Sequence, residues 1–203
     1  ERVFDYDTRS NGLELSLDGR HAFGSTAHRY VAGIDLARTD IEQSRDGQET
    51  NLATGISTPV ILGERFPVRD FPPSVVDEVG LYAQDEIDFD EGPWALILGL
   101  RWDRTQVDAQ PDATWIADNP GTSAVDLDDD QLTPRIGLRR DFGDAGSVWL
   151  TYTEGFRAPP FTDVNLGLNI PAFNYVALPN PDLELPAGMF MHAIVTFAQP
   201  LLT

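Results

Sequence analysis

The chain has 203 residues, long enough for one domain with a sizeable core, and carries 14 basic against 33 acidic residues for a net charge of −19. Such a charge repels phosphate backbones, which draw their affinity from Lys and Arg, so nucleic-acid binding is excluded. With no Cys the chain forms no disulfides or thiolate sites, and 41% hydrophobic with 10% aromatic residues is too many for a disordered segment.

Taken in chain order, the dominant pattern is period-two alternation, the mark of strands with two unlike faces. Residues 1–7 read as the start of a first strand, with a change of phase near Ser10–Gly12 before Leu13, Leu15 and Leu17 share a face over 12–19. Residues 28–40 follow with Tyr30, Ala32, Ile34 and Leu36. Residues 79–90 set Val79, Leu81, Ala83, Ile87 and Phe89 against Tyr82, Gln84, Glu86 and Asp88. Residues 94–103 are the clearest case, with Trp94, Leu96, Leu98, Leu100 and Trp102 on one side. Segments 131–142 (Ile136, Leu138, Phe142) and 146–155 (Val148, Leu150, Tyr152) complete the set. No apolar run approaches a membrane-spanning helix, and no amphipathic helix is evident.

The connections alternate in length. Short ones fall at 20–27, 91–93 and 142–146; long ones fall at 41–78, 106–130 and from 156 onward. Long loops on every second connection match a barrel with short periplasmic turns and long extracellular loops. The expected fold is therefore all-β: a segment of a large antiparallel transmembrane β-barrel, about six to eight strands of the full wall. Residues 1–155 are its strands, with extracellular loops near 41–78 and 106–130.

That direction places Tyr30, Phe89, Trp94 and Phe142 near the periplasmic ends of their apolar faces, as an aromatic girdle, with Trp102 at the opposite end. Trp94 and Trp102 are about 27 Å apart along the strand, or about 21 Å along the membrane normal at a tilt of about 40°. This is close to the height of a barrel's apolar band. Asp85 falls on the apolar face, where a local bulge is the expected rescue. Arg140 does so too, near an interface where it can snorkel. A soluble β-domain with one solvated face also alternates, and remains the rival fold.

Catalysis finds little support. His21, His28 and His192 stand beside no nucleophile motif, so an enzyme is not expected. Asp126, Asp128, Asp129 and Asp130 lack the Gly and Glu of an EF-hand loop, so no metal site is expected. The informative stretch is 154–183, rich in Pro, Asn and aromatics, where Pro159, Pro160, Pro171, Pro179 and Pro181 imply a shaped loop. Phe161, Phe173 and Tyr175 are large apolar groups on an outward loop, either a binding surface or packing within the loop.

Phe156-Arg157-Ala158-Pro159 and Asn180-Pro181-Asp182-Leu183 resemble the FRAP and NPDL boxes of TonB-dependent outer-membrane receptors for haem and haemoglobin, of the transferrin- and lactoferrin-receptor-like group. The runs at 80–87, 132–142 and 66–74 resemble that family as well. The resemblance implies a bacterial outer-membrane location and uptake without chemistry. An N-terminal plug, moved by the TonB complex, would sit inside a barrel of about 22 strands. Plug and TonB-contacting box lie outside this sequence. It further implies haem, haemoglobin or another iron carrier as partner, haem as transported cargo with no permanent cofactor, and outer-membrane lipid and lipopolysaccharide around the wall. The ligand would meet the loop at 156–183, through Phe156, Arg157, Ala158, Pro159, Tyr175, Asn180, Pro181, Asp182 and Leu183.

Two departures qualify this expectation. Haem receptors of the family carry a His between the two boxes; here none lies between Pro159 and Asn180, and Tyr175 is the one residue there with an iron-ligating atom. The tail 184–203 lacks clean alternation and a terminal aromatic, which suggests a truncated or frame-shifted gene. A siderophore receptor of the same architecture and a small structural outer-membrane barrel are the competing functions.

Overall fold

Seven long strands form one antiparallel sheet in which every strand lies beside its sequence neighbour. They are β1 (Arg2–Phe23), β2 (Thr26–Gly47), β3 (Ser74–Phe89), β4 (Trp94–Ala109), β5 (Leu127–Asp141), β6 (Gly146–Gly155) and β7 (Gly188–Phe197). The computed structural model describes residues 1–89, 92–155, 164–178, 180 and 188–197, the last segment as backbone only. β7 pairs with β6 from Gly146↔Phe197 to Gly155↔Gly188, so part of the irregular tail forms a wall strand by backbone hydrogen bonding.

Pairing is unbroken along every strand pair of the wall. β1 faces β2 from Arg2↔Gly47 to Phe23↔Thr26, so the expected phase change near Ser10–Gly12 does not occur. The polar stretch there is the part of a 22-residue strand that stands above the apolar band; it keeps its faces and changes only its surroundings. The turn between β1 and β2 is Gly24–Ser25 alone, with Gly24 at a φ of 60°, which favours glycine.

Direct partners across an antiparallel sheet share a face. The register therefore gathers Leu13, Leu15, Leu17, Ile34, Leu36, Leu81, Leu96, Leu98, Leu100, Leu138 and Leu150 on one side. Most of them are exposed, as a lipid-facing wall requires. The other side carries Arg29, Asp35, Glu86, Asp88, Arg101, Asp103, Arg139 and Asp141. There Arg29 and Arg139 both bridge Glu86 and Asp88, and Arg139 also reaches Asp141. Arg101 joins Asp35 and Asp103 in a second bridge. This is a polar lumenal face whose charges are matched across strands.

Phe89, Trp94 and Phe142 lie exposed at the short-turn end of the apolar face, and Phe23 beside the turn joins them. Tyr30 lies four residues deeper, opposite Asp85, with its ring laid over Gly19, where any side chain would collide with it. Trp102, at the far end, donates its indole N–H to Asp130 Oδ2 at 3.0 Å.

Asp85 is accommodated without a bulge, since β2–β3 and β3–β4 pairing runs through it. Its Oδ2 lies 2.7 Å from His28 Nδ1, and His28 Nε2 lies 3.0 Å from Thr26 Oγ1. A side-chain partner from the next strand thus does what a change of register was expected to do.

Candidate functional site

The outward loops fold over the upper lumenal side of β2. Residues 49–50 pair with 57–58 and 60–61 with 64–65; the chain then turns back so that Val68 and Arg45 exchange both backbone hydrogen bonds at 2.9 Å. Phe66 and Val68 are buried there, together with Ile41, Gln43 and Arg45 on β2. Arg45, 8% exposed, grips Asp70 with two nitrogens at 2.7 and 2.8 Å and Glu64 at 3.0 Å, and lies over the Phe66 ring. Burial works against its charge, but the hydrogen bonds and attraction of Asp70 and Glu64 prevail and hold its pKa above the ordinary arginine value.

The second loop docks through α1 (Ala113–Asp118), which at six residues is too short to show periodicity in sequence. Asp112 caps it by accepting from the Trp115 amide at 2.8 Å with one oxygen, leaving the other for Arg69 Nε at 2.8 Å. Arg69 also donates from its backbone N–H to Asp118 Oδ2 at 2.7 Å and from Nη1 to the Gln43 carbonyl at 2.8 Å. Trp115 is 1% exposed and anchors the helix.

The third loop completes the cap. Asn165, 1% exposed, binds Val125 as a strand would, accepting from its N–H and donating to its C=O at 2.8 Å each. Gly167 N–H donates to Asp70 O, and a Cβ on Gly167 would strike Asn119 Oδ1. Asn180 N–H donates to Val164 O at 2.8 Å. On this base stands a small hairpin, 168–170 against 175–177, which exposes Phe173 (71%), Tyr175 (52%), Val176 (57%) and Leu178 (67%).

Of the expected ligand-loop residues, Tyr175 lies on this exposed hairpin, and the backbone of Asn180 ties the loop to its base. Phe156, Arg157, Ala158, Pro159, Pro181, Asp182 and Leu183 lie outside the described residues. Sequence reasoning missed Arg45, Asp70, Asp112 and Asn165, whose partners are 19 to 43 residues away or sit in a helix of six residues. The 66–74 run was the available signal, since it supplies Phe66, Val68, Arg69 and Asp70.

Thr26, His28 and Asp85 have the spacing of a hydrolytic triad but not its hydrogen bonding. Thr26 Oγ1 donates its one proton to Phe23 O at 2.8 Å, so it accepts from His28 Nε2–H. A hydroxyl used in this way has no base to activate it. Among the described residues, no group of three or more His, Cys, Asp or Glu is arranged to hold a metal ion.

Asp118 offers a test of the cap's electrostatics. Burial holds its carboxyl above the ordinary value of 3.8, with Glu64 and Asp70 adding to the rise and the Arg69 amide and Arg45 opposing it. A raised pKa means the folded cap holds this proton more tightly than the unfolded chain. The resulting stability is complete below pH 3.8 and is lost as pH rises through the raised value. Asp118→Asn, which keeps an acceptor for the Arg69 amide, is expected to reduce the difference in cap stability between pH 4 and pH 7. Hydrogen exchange at the Val68 and Gly167 amides, corrected for intrinsic rates, would check this; an unchanged difference would count against it.

Residues 1–186 match the family model for the TonB dependent receptor-like β-barrel. The chain belongs to that family. TonB-dependent receptors are outer-membrane transporters rather than enzymes. No curated protein matches the chain. The solved structures similar to this receptor barrel include a double mutant of the Serratia marcescens hemophore receptor HasR, in complex with its hemophore HasA and heme. It is 18% identical with a TM-score of 0.63, over 90% of this chain and 28% of that one. The P. aeruginosa receptor FpvA bound to heterologous pyoverdines is 18% identical with a TM-score of 0.59, over 78% and 20%. The ferric citrate transporter FecA in unliganded form is 15% identical with a TM-score of 0.58, over 76% and 21%. The receptor barrel described here thus spans 20–28% of these chains, and at such identities the likeness is one of fold.

Proposed function

We propose that this barrel segment belongs to a receptor for haem or haem-protein iron and supplies the wall and one outward ligand-contacting surface. The observation that carries the reading is the exposed hairpin at 168–178, where Phe173, Tyr175, Val176 and Leu178 stand clear of a base tied down by Asn165, Gly167 and Asn180. Apolar groups held outward on a rigid base suit an apolar ligand or a protein carrier better than they suit packing within the loop. The FRAP- and NPDL-like boxes on either side of it are the reason for naming haem. Haem would be cargo, and the TonB complex would act through the plug.

The absence of His from this loop favours a second reading, a siderophore or other iron chelate carried by the same architecture. The full-length parent, expressed as the sole iron receptor, separates the two. Growth on haem or haemoglobin as iron source is expected, together with direct binding of either. Growth no better than a receptor-less strain on both, with growth on a ferric siderophore, would replace the first reading by the second. Phe173→Ser with Tyr175→Ser is expected to weaken ligand binding about thirtyfold, since two exposed anchors of about 1 kcal/mol each are removed, while the barrel keeps its heat-modifiable migration.

A further inference from the structure

Among the described residues, four arginines lie on the lipid-facing side of the wall strands: Arg9, Arg38, Arg104 and Arg140. The first three stand toward the extracellular end, each beside a carboxylate: Asp7 at 2.9 Å, Asp77 at 3.3 Å and Asp128 at 2.7 Å. Arg140 is at the periplasmic end and differs from them. It is exposed, and its charged carbon lies 4.9 Å from the centre of the Trp94 ring and 4.8 Å from that of Phe142. The nearby Asp141 is on the lumenal side and is held by Arg139.

We infer that Arg140, held by Trp94 and Phe142, seats the phosphodiester of a phospholipid in the periplasmic leaflet. Aromatic contact restrains the guanidinium but uses none of its N–H donors, which lie in its plane and match a phosphate's oxygens. Restraint before binding removes part of the ordering cost. The apolar track for an acyl chain runs from the same point: Leu138 and Ile136 follow Arg140 at two-residue steps on the same face of β5, both exposed. Headgroup and tail contacts thus lie in line along one strand. Lipopolysaccharide phosphates belong to the other leaflet, beyond the Trp102 level, about 21 Å away along the normal.

The parent receptor in detergent, offered dioleoylphosphatidylglycerol or dioleoylglycerol, tests this by native mass spectrometry. The wild type is expected to retain the phospholipid well above the phosphate-free lipid. Arg140→Gln should weaken that retention about tenfold, the loss of one charge-assisted contact, and Arg104→Gln should leave it unchanged. Equal retention of both lipids by the wild type, or by wild type and Arg140→Gln with both barrels closed on gels, would overturn the proposal. If Arg140→Gln fails to close, Arg140→Lys, which keeps the charge but loses the planar fork, takes its place. At least threefold weaker retention is then expected, and equal retention overturns the assignment.

Discussion

Arg45→Met is expected to open the cap of long loops while leaving the barrel wall paired. The arginine is almost fully buried and is the shared ion-pair partner of Asp70 and Glu64, themselves largely shielded from solvent. Removing one partner of a buried ionic cluster costs about 3–5 kcal/mol because the remaining charges stay buried. The damage should spread along the hydrogen bonds already traced, since Gly167 hangs from the Asp70 carbonyl and Val68 from Arg45 itself. Hydrogen exchange should therefore rise at Val68, Gly167 and Asn180 but not at Leu98 or Leu138. Uniform protection in the variant would show that the ionic centre does not hold the cap. Arg45→Met with Asp70→Leu and Glu64→Leu should recover much of the loss, because apolar replacement of a whole buried cluster is often close to neutral.

The second large effect concerns the lipid-facing pair of His28 and Asp85. The 2.7 Å contact ties the imidazole and the carboxyl group to each other across two strands. His28→Leu strands the carboxylate against lipid, about 10 Å inside the girdle, at an expected cost of about 2 kcal/mol. Asp85→Leu leaves the His28 ring still bound to Thr26 and should cost less. The double replacement should lie close to wild type. A double-mutant cycle on the refolded parent barrel measures this, and additive single effects would show that the two side chains do not depend on each other.

Much of the wall was legible in the residues alone because membrane strands obey a strict rule. One face meets lipid and the other meets water, so Trp94, Leu96, Leu98, Leu100 and Trp102 declare their side without knowledge of any partner. Loop lengths showed in the same way which end of the wall carries the long loops. What alternation leaves open is how its exceptions are settled. Asp85 violates the pattern, and its partner His28 is 57 residues away on another strand, brought opposite by a register that only the paired sheet defines. Arg140 likewise becomes a candidate lipid seat only once Trp94 is set across from it and Phe142 beside it.

The cap was less legible still. Its outward position and aromatic content could be read, but its support comes from single residues joining three loops, with no period to reveal them: Arg45 to Asp70, Arg69 to Asp112 and Asp118, Asn165 to Val125. By itself, the sequence determined a two-faced antiparallel wall with short turns at one end and long loops at the other, because its faces follow from the solvent each residue meets. The tertiary structure alone decided which loop residues are base and which are exposed tip, because that depends on contacts between segments far apart in the chain.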